Sequence, residues 1–551
     1  MKTGKIRTKD DIFRAMHREL RIHMEDVPES PERLDPILRI LLELYANQLA
    51  GIESKLGELW QTVSDSLIRS LIPDSKRWPV PAYTIIKCDL TDPVVDIDEN
   101  TKVIYREERS GGKTFFFAPR QPERLLSASL KHAIVKCGDS AVETAESNQA
   151  RGRTRRTLAD QPQAVYLGFD YEGDPKDFTD TIMFAFGDQT AIDILKWSRW
   201  LPLGENGFDE SAAFVPGTIS LTNRILGKTA DGTMEWGGFR SHSNLYGGIE
   251  ERILSLPDSF LSVWGKRETP NEIGSIAFAG GIDIKEPEGG FYWIKVLLPD
   301  RGNRNTLLKP ISLYTNCYIA FNRNDKSVFK HTVGNKLVEL EIPDKIDSIL
   351  EIINVSDSDN NSYVPIFQAS DPKEDKVYAM EERKDKIVLW FDYSALRQTT
   401  PDSITVEYTI TEGTDANGIE AGKIKDLYEQ HPGIDSCVNL IPTTGAIPAK
   451  TTEQVVNEAT VRLRSRDRAI GFSEIETWAK TFDSRIQKAS CHNATDRTPR
   501  GVRRCIAVDV EAPPDSFHSD EEIEFLKQRL VRFLKSRSPV NSQFRVEITE
   551  K

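Results

Sequence analysis

The sequence predicts a multidomain α+β fold, with long amphipathic N-terminal helices, β-rich middle domains and a C-terminal α/β split β-α-β module. Three patterns lead there. Between Leu34 and Ile72 apolar residues recur every three or four positions, the spacing of one helical stripe. From Trp78 onward short runs of aromatic and β-branched residues alternate with Pro, Gly and Asp, which is the texture of strands and turns. The last part reads helix, strand, strand, helix, strand, the order of a small sheet with helices on one face. At 551 residues the chain exceeds one ordinary core. The expected division is a helical region over 1–76, a β-rich domain with inserted loops over 77–265, a second β-rich domain over 266–395 and the α+β domain over 396–551.

Taken in order, Asp10–His23 has a helical pattern and Val27–Arg33 (VPESPER) breaks it. In the long segment that follows, Leu41, Tyr45, Leu49, Ile52, Leu56, Leu59, Val63, Leu67 and Leu71 draw one continuous stripe. Gly51 offers a bend point, and Pro73 ends the helix. Such a helix cannot bury its stripe against itself; it calls for the following domain or for a partner's helices. Strands are expected at Tyr83–Cys88, Thr114–Phe117, Ala133–Lys136, Val165–Phe169 and Thr181–Phe186, with a polar exposed loop at Thr144–Asp160. A second set is expected at Ser275–Phe278, Phe291–Leu297, Cys317–Asn322, Val338–Ile342 and Lys386–Tyr393. The charged run Asp371–Asp385 reads as a solvated linker or insertion.

Further on, Ile404–Ile410 is a strand, Asn417–Lys423 a glycine-containing turn, and Thr451–Leu463 opens on a capping box of Thr451 and Gln454. Strands at Arg485–Cys491 and Val502–Val510 precede a helix capped by Ser519 and Glu522, with Ile523, Leu526, Leu530, Phe533 and Leu534 on one face. Pro539 follows, and Phe544, Val546 and Ile548 alternate in a terminal strand.

Composition narrows the function. A net charge of −13 repels nucleic acid. The basic start MKTGKIRTKDD has no apolar run behind it, so no signal peptide is expected, and Ile37–Ala50 is too short to span a bilayer. Cys88, Cys137, Cys317, Cys437, Cys491 and Cys505 show no CxxC spacing and read as reduced structural thiols of a cytosolic protein.

Catalytic patterns do not assemble. Ser110-Gly111-Gly112-Lys113-Thr114 suggests a phosphate loop, but Glu107 stands where the first glycine is needed, and a strand (TFFF) follows where a helix must. Cys491 and His492 are neighbours that a strand would turn to opposite faces. Carboxylate pairs such as Asp96 and Asp98 are common in an acidic chain, and no nucleophile elbow is present. Neither a metal nor a cofactor is expected.

Two basic clusters stand out. Arg151, Arg153, Arg155 and Arg156 lie in the polar loop. In Val461–Phe482, Arg462, Arg464, Arg466 and Arg468 recur at every second position and lead to a helix opened by Ser473 and Glu476, with Ile475, Trp478, Ala479 and Phe482 as its apolar stripe. If the arginine stretch is extended, its guanidinium groups share one side and suit carboxylates of a neighbouring domain or subunit.

Val461–Phe482 resembles the arginine-rich helix entry of the baseplate J family, wedge proteins of contractile phage tails, and the likeness runs from about Gly418 to Ile548. Gly418–Lys423 (GIEAGK) and Cys437–Ile447 (CVNLIPTTGAI) stand where that family has a glycine-rich turn and an Asn-Pro loop with paired glycines. Here Asn439-Leu440-Ile441-Pro442 and the single Gly445 replace that tighter loop. The front of the chain resembles the TssF family of type VI secretion baseplates. The residues that carry this are Leu67–Tyr83 (LIRSLIPDSKRWPVPAY), a hairpin over Phe115–Leu126 (FFFAPRQPERLL), GFDES and LPDSF within Gly207–Phe260, and the turn Pro539–Phe544. Of the aromatic-rich start of that family, only His17–Arg21 is echoed.

These resemblances imply a non-enzymatic wedge subunit of a contractile injection baseplate, cytoplasmic and docked at the inner face of the cell membrane in a type VI machine. Implied partners are a TssG-like wedge protein, a second copy of the chain, and the sheath-initiator, spike-hub and membrane-docking subunits. The N-terminal helices would enter a bundle with the wedge partner, and the C-terminal domain would link copies around a ring. Interface residues expected on this basis are Leu49, Ile52, Leu56, Leu59 and Val63 on the stripe, and Arg462, Arg464, Arg466, Arg468 and Trp478. The alternative setting is an extracellular contractile particle or phage tail. The alternative of another class is a multidomain β-rich hydrolase or carbohydrate-binding protein.

Overall fold

The computed structural model describes residues 8–24, 27–71, 79–107, 112–145, 161–219, 234–236, 239–241, 252–285, 287, 289–301, 303–332, 336–366, 369, 376–383, 385–394, 400–449, 468–483, 485–498, 501–514, 516–517 and 519–550. The side chains of 54, 56–71, 234–236, 239–241, 497, 498 and 501 are excepted. Two compact units form: Met1–Arg77 with Lys450–Arg464, and Trp78–Ala449 with Ser465–Lys551.

In the first unit, helix α1 (Lys9–His23) starts where Thr8 and Asp11 cap each other: Asp11 N donates to Thr8 Oγ1 at 3.2 Å and Thr8 N to Asp11 Oδ2 at 3.2 Å. Pro31–Arg33 forms one 3₁₀ turn at the expected break. Helix α2 (Pro36–Leu71) opens with proline, and the Asp35 carboxylate accepts from the amides of Ile37 and Leu38. It runs unbroken through Gly51, because one glycine costs a helix only about 1 kcal/mol. The two helices pack with Ile12, Leu42 and Ala46 buried, as is Leu34 in their connection, and the buried His17 meets the Pro28 carbonyl at 3.1 Å.

In the second unit a six-stranded antiparallel sheet orders Asp426–Leu427, Val103–Arg106, Thr114–Ala118, Cys317–Asn322, Tyr83–Leu90 and Ile434–Asn439. Ile86, Cys88, Phe117 and Tyr318 fill one face, while Ile85, Ile319 and Phe321 fill the other with Phe184. Ser110 and Gly111 lie outside the described residues, but the antiparallel register Arg106↔Thr114 makes TFFF a hairpin strand, which excludes phosphate-loop geometry. The expected hairpin Phe115–Leu126 does not form. Glu123–Leu126 pairs with Val94–Ile97 instead, since Pro119 and Pro122 break the ladder between them.

The nine-stranded sheet orders Gly207–Phe208, Arg199–Gly204, Tyr292–Leu297, Ala164–Asp170, Ser129–Cys137, Ile311–Tyr314, Met183–Gly187 and Ile253–Leu254, with Ser140–Glu143 beside Ser129–Cys137. Strands from both sides of residue 265 therefore share one sheet. Helix α3 (Gln189–Lys196) and helix α4 (Asn271–Gly280) flank it. Helix α4 corrects the strand expected at Ser275–Phe278. Pro270 and the left-handed Gly281 (φ 66°) bracket a helix whose buried residues, Ile273 and Ala277, lie four apart, leaving Phe278 87% exposed.

Residues 324–410 form a β-sandwich. Asn324–His331, Ser403–Ile410 and Ile349–Asp357 make one sheet; Leu337–Glu341, Lys386–Asp392, Val377–Arg383 and Val364–Pro365 make the other. Leu340, Leu389, Phe391, Val406 and Tyr408 fill the space between them. The strand Ser403–Ile410 joins residues on both sides of position 395 in one sheet. Val377–Arg383 corrects the linker expected over Asp371–Asp385, whose residues 371–375 and 384 lie outside the described set. Its charges pair across the sheet surface: Arg383 with Glu339 at 2.6 Å, and Glu381 with the Trp390 indole at 2.8 Å.

Inside the sandwich the Asp357 side chain is fully buried and accepts from Lys376 Nζ (2.6 Å), Asn361 N (2.9 Å), Asp359 N (3.0 Å) and the Tyr363 hydroxyl (3.2 Å). Burial alone would raise its pKa; the Lys376 ammonium and Asn361 outweigh that and drive it down to about 2. A depressed carboxyl stabilises the fold above its ordinary value, and that stability is lost as pH falls from about 4 to about 2. Asp357→Asn should therefore cost about 3 kcal/mol at pH 7. The gap from wild type should close toward pH 2, as read locally by amide hydrogen exchange in the sandwich strands Ser403–Ile410 and Ile349–Asp357. A gap constant with pH would refute the assignment.

The C-terminal module follows the expected order: helix α5 (Phe472–Phe482), strands Lys488–Thr498 and Gly501–Ala512, helix α6 (Asp520–Arg537) and strand Phe544–Glu550. The first two strands are antiparallel, and Phe544–Glu550 lies directly beside Gly501–Ala512 in parallel register, so α6 is a β-α-β crossover. Both helices bury apolar residues on one face of the sheet: Ile475 and Ala479 from α5, and Leu530, Phe533 and Leu534 from α6. Ser519 caps α6 as expected, accepting from Glu522 N at 3.1 Å. The cap expected at Ser473 with Glu476 is corrected. Helix α5 begins at Gly471, where the Glu474 carboxylate takes the amides of Ile470 and Gly471 at 3.0 and 3.2 Å, and Glu476 instead accepts from Cys491 N at 2.9 Å. The capping box expected at Thr451 and Gln454 lies outside the described residues.

Candidate partner interfaces

Helix α2 presents the most conspicuous surface. Helix α1 takes the side carrying Leu42 and Ala46, and the predicted stripe is left in solvent: Leu41, Tyr45, Leu49 and Ile52 are all exposed. Ile37, Ile40 and Leu44, missed by the stripe, are 71%, 58% and 57% exposed and widen this face at helical spacing. The step of three and then four residues from Ile37 to Ile40 to Leu44 was the available signal. Leu56, Leu59 and Val63 lie in the same helix, but their side chains are outside the described residues. Contiguous exposed apolar faces of this size are uncommon on soluble proteins.

The arginine entry is only partly visible. Arg462, Arg464 and Arg466 lie outside the described residues, as do Arg151, Arg153, Arg155 and Arg156. Arg468 is exposed, and the chain beyond it is pinned to the end of α6: Ala469 N donates to the Arg537 carbonyl at 2.8 Å and Ser538 Oγ to the Ala469 carbonyl at 2.9 Å. Trp478 is half-buried, with its ring 6.0 Å from Phe533 and beneath the Arg537 guanidinium at 5.0 Å. Its packing is internal to the module.

The baseplate J-like loop residues prove to be turn fasteners. Buried Asn439 donates to the Glu420 and Ile441 carbonyls and accepts from Ile424 N, tying Gly418–Lys423 to the strand Ile434–Asn439. Gly445 (φ 88°) leaves room for the Tyr83 ring, which a Cβ would meet at 2.2 Å. Arg485 was not singled out by sequence. It forks onto Asp483 at 2.9 and 3.0 Å and reaches the buried Glu522 at 2.5 Å, joining the turn after α5 to the start of α6.

No catalytic constellation forms among these groups. Cys88 faces Cys437 across adjacent strands, but burial pushes both thiols up, Cys437 to about 11. Cys491 is likewise raised by burial to about 12. The buried His132 meets Glu143 at 2.8 Å, yet that carboxylate also accepts from the amides of Ala133 and Ala145, so the pair fastens a hairpin. Asp96 pairs with Arg124 at 2.9 Å, and Asp98 accepts from its own turn. Among the described residues no cluster of three or more metal-ligating side chains exists, and no helix is long and apolar enough to cross a membrane.

No family model and no curated protein matches the sequence. Solved structures do. A chain of the type VI secretion TssK-TssF-TssG baseplate subcomplex aligns at a TM-score of 0.55 with 12% identity, over 93% of this chain and 96% of that one. This chain has that baseplate fold. A chain of the type VI baseplate complex aligns at 0.48 with 12% identity, over 98% and 97% of the two chains. One from the anti-feeding prophage baseplate aligns at 0.33 with 9% identity, over 97% and 70%. Within the shared baseplate fold, the LPDSF segment is core: Leu256 and Phe260 are buried, with Phe260 5.0 Å from Phe214. GFDES is an edge strand and a turn, where Asp209 accepts from Ser211 N at 2.8 Å.

Proposed function

We propose that this chain is a structural wedge subunit of a contractile injection baseplate of the type VI kind, working without catalysis in the cytoplasm. The observation that carries this reading is a fold shared along nearly the whole of both chains with a type VI baseplate subunit. The uncovered apolar face of α2 supports it, since Ile37–Ile52 suits the seam of a helical bundle. The partner for that face is a TssG-like wedge protein. The C-terminal module and the arginines Arg462–Arg468 would serve contacts with a second copy and with other baseplate subunits.

Co-expression tests this. Alone, the chain should self-associate or aggregate through α2. Together with the TssG-like protein of the same cell it should emerge as one soluble complex by size exclusion with light scattering. A monodisperse monomer, indifferent to the second protein, would sink the reading.

A further inference from the structure

We propose that the groove between α6 and the outer edge of Phe544–Glu550 receives an extended acidic segment of another protein as a fourth strand of the C-terminal sheet. Phe544–Glu550 is the last strand of its sheet. Ile506 N donates to the Gln543 carbonyl at 2.8 Å in a parallel register that pairs Ile506 with Phe544. In a parallel ladder donors alternate sides, so the amides of Arg545, Glu547 and Thr549 point to Gly501–Ala512 and those of Val546 and Ile548 point outward. No backbone group among the described residues meets them there.

Edges like this are usually blunted by proline, lysine or a bulge. The sequence FRVEITE has neither proline nor lysine, and its register is regular over all seven residues. Other long edges among the described residues are blunted: Asn324–His331 carries Lys326 and Lys330, Lys488–Thr498 on the far side of the same sheet as Phe544–Glu550 carries Lys488, and Ile349–Asp357 has an irregular register. The Phe544–Glu550 edge, whose charges are Arg545, Glu547 and the Arg301-paired Glu550, borders a groove of about 650 Å³ whose lining includes Lys527, Val531, Arg532, Lys535, Arg545 and Val546. Its two carboxylates are already engaged, Glu524 with Lys527 at 3.6 Å and Glu547 with Arg545 at 3.2 Å. Arg532 and Lys535 have no ion-pair partner among the described residues. Lys and Arg also outnumber Asp and Glu over Val461–Lys551, in a chain of net charge −13. Backbone pairing would supply affinity, and the cations would select an acidic strand.

The inference stands on the C-terminal module and does not depend on the baseplate reading. Its test is a fluorescence-anisotropy titration of the full chain, carrying Leu41→Asp and Leu44→Asp to keep it dispersed, with a labelled decapeptide of alternating valine and glutamate, beside one of valine and lysine. The acidic peptide should bind, at least about tenfold more tightly than the basic one, and should weaken as salt rises. On binding, the amides of Val546 and Ile548 should gain protection from hydrogen exchange. Lys527→Glu with Lys535→Glu, both on the exposed side of α6, should lower affinity about tenfold or more without changing the fold. Ile548→Pro removes one outward donor and leaves the inward ladder, and should also weaken binding. Equal binding of both peptides, binding of neither, or binding unaltered by the lysine reversals overturns the proposal.

Discussion

With Leu41 and Leu44 both replaced by aspartate, the chain should remain folded but no longer co-purify with the TssG-like partner proposed for it. The two leucines sit mid-face on the side of α2 opposite the α1 seam, and both are about half exposed in the isolated chain. Both are exposed rather than packed among the described residues, so circular dichroism should not change. In a bundle each leucine would contribute roughly 1.5–3 kcal/mol by burial. Losing both, and having to bury two carboxylates instead, should weaken the complex by about a thousandfold or more. Arg39→Gln, on the flank where Arg39 pairs with Glu43, is the control and should leave the complex intact. Co-purification unchanged in the double variant would show that the partner, if any, docks elsewhere.

Trp264→Ala should destabilise the nine-stranded region by about 4 kcal/mol, the range for large-to-small changes in a core. Trp264 is 1% exposed and its ring lies 5.1–6.1 Å from Phe178, Tyr292, Phe260 and Phe169. Its indole N–H donates to the Trp293 carbonyl at 3.0 Å, so truncation leaves both a cavity and an unmet acceptor. Trp264→Phe keeps most of the packing and should cost about 1 kcal/mol for the lost bond. Because a chain of several packed regions does not melt as one two-state unit, the measurement is local. Amides of Ala164–Asp170 and Tyr292–Leu297 should exchange faster, while those of the sandwich keep their protection. Unaltered exchange in those two strands would contradict the core assignment.

The helix periods, most strands and the order of the C-terminal module were legible because each is written in contiguous residues. Misreadings arose where a short window supports two structures. Ser275–Phe278 carries β-forming residues, yet Pro270 and Gly281 set the limits of a helix around it. The charged run near Val377–Arg383 looked solvated because its inward residues, Tyr378 and Met380, are only two among many charges. At α5 a serine in good capping position lost to Glu474, whose carboxylate reaches two backbone amides by folding back one turn. The groove beside Phe544–Glu550 was not legible at all, since its walls come from a helix and a strand brought together by the crossover.

Sequence alone settles that α2 is a long helix with an apolar stripe that it cannot bury against itself. It also rules out a phosphate loop at Ser110–Thr114 and orders the C-terminal elements. Only the tertiary structure decides which side of α2 meets α1, which strands share a sheet across hundreds of residues, and that Trp478 is packed within its own module. The physical reason is one of range. Period, cap and turn are set by bonds and contacts a few residues apart, whereas the choice of partner for an apolar face depends on distant residues competing to cover it.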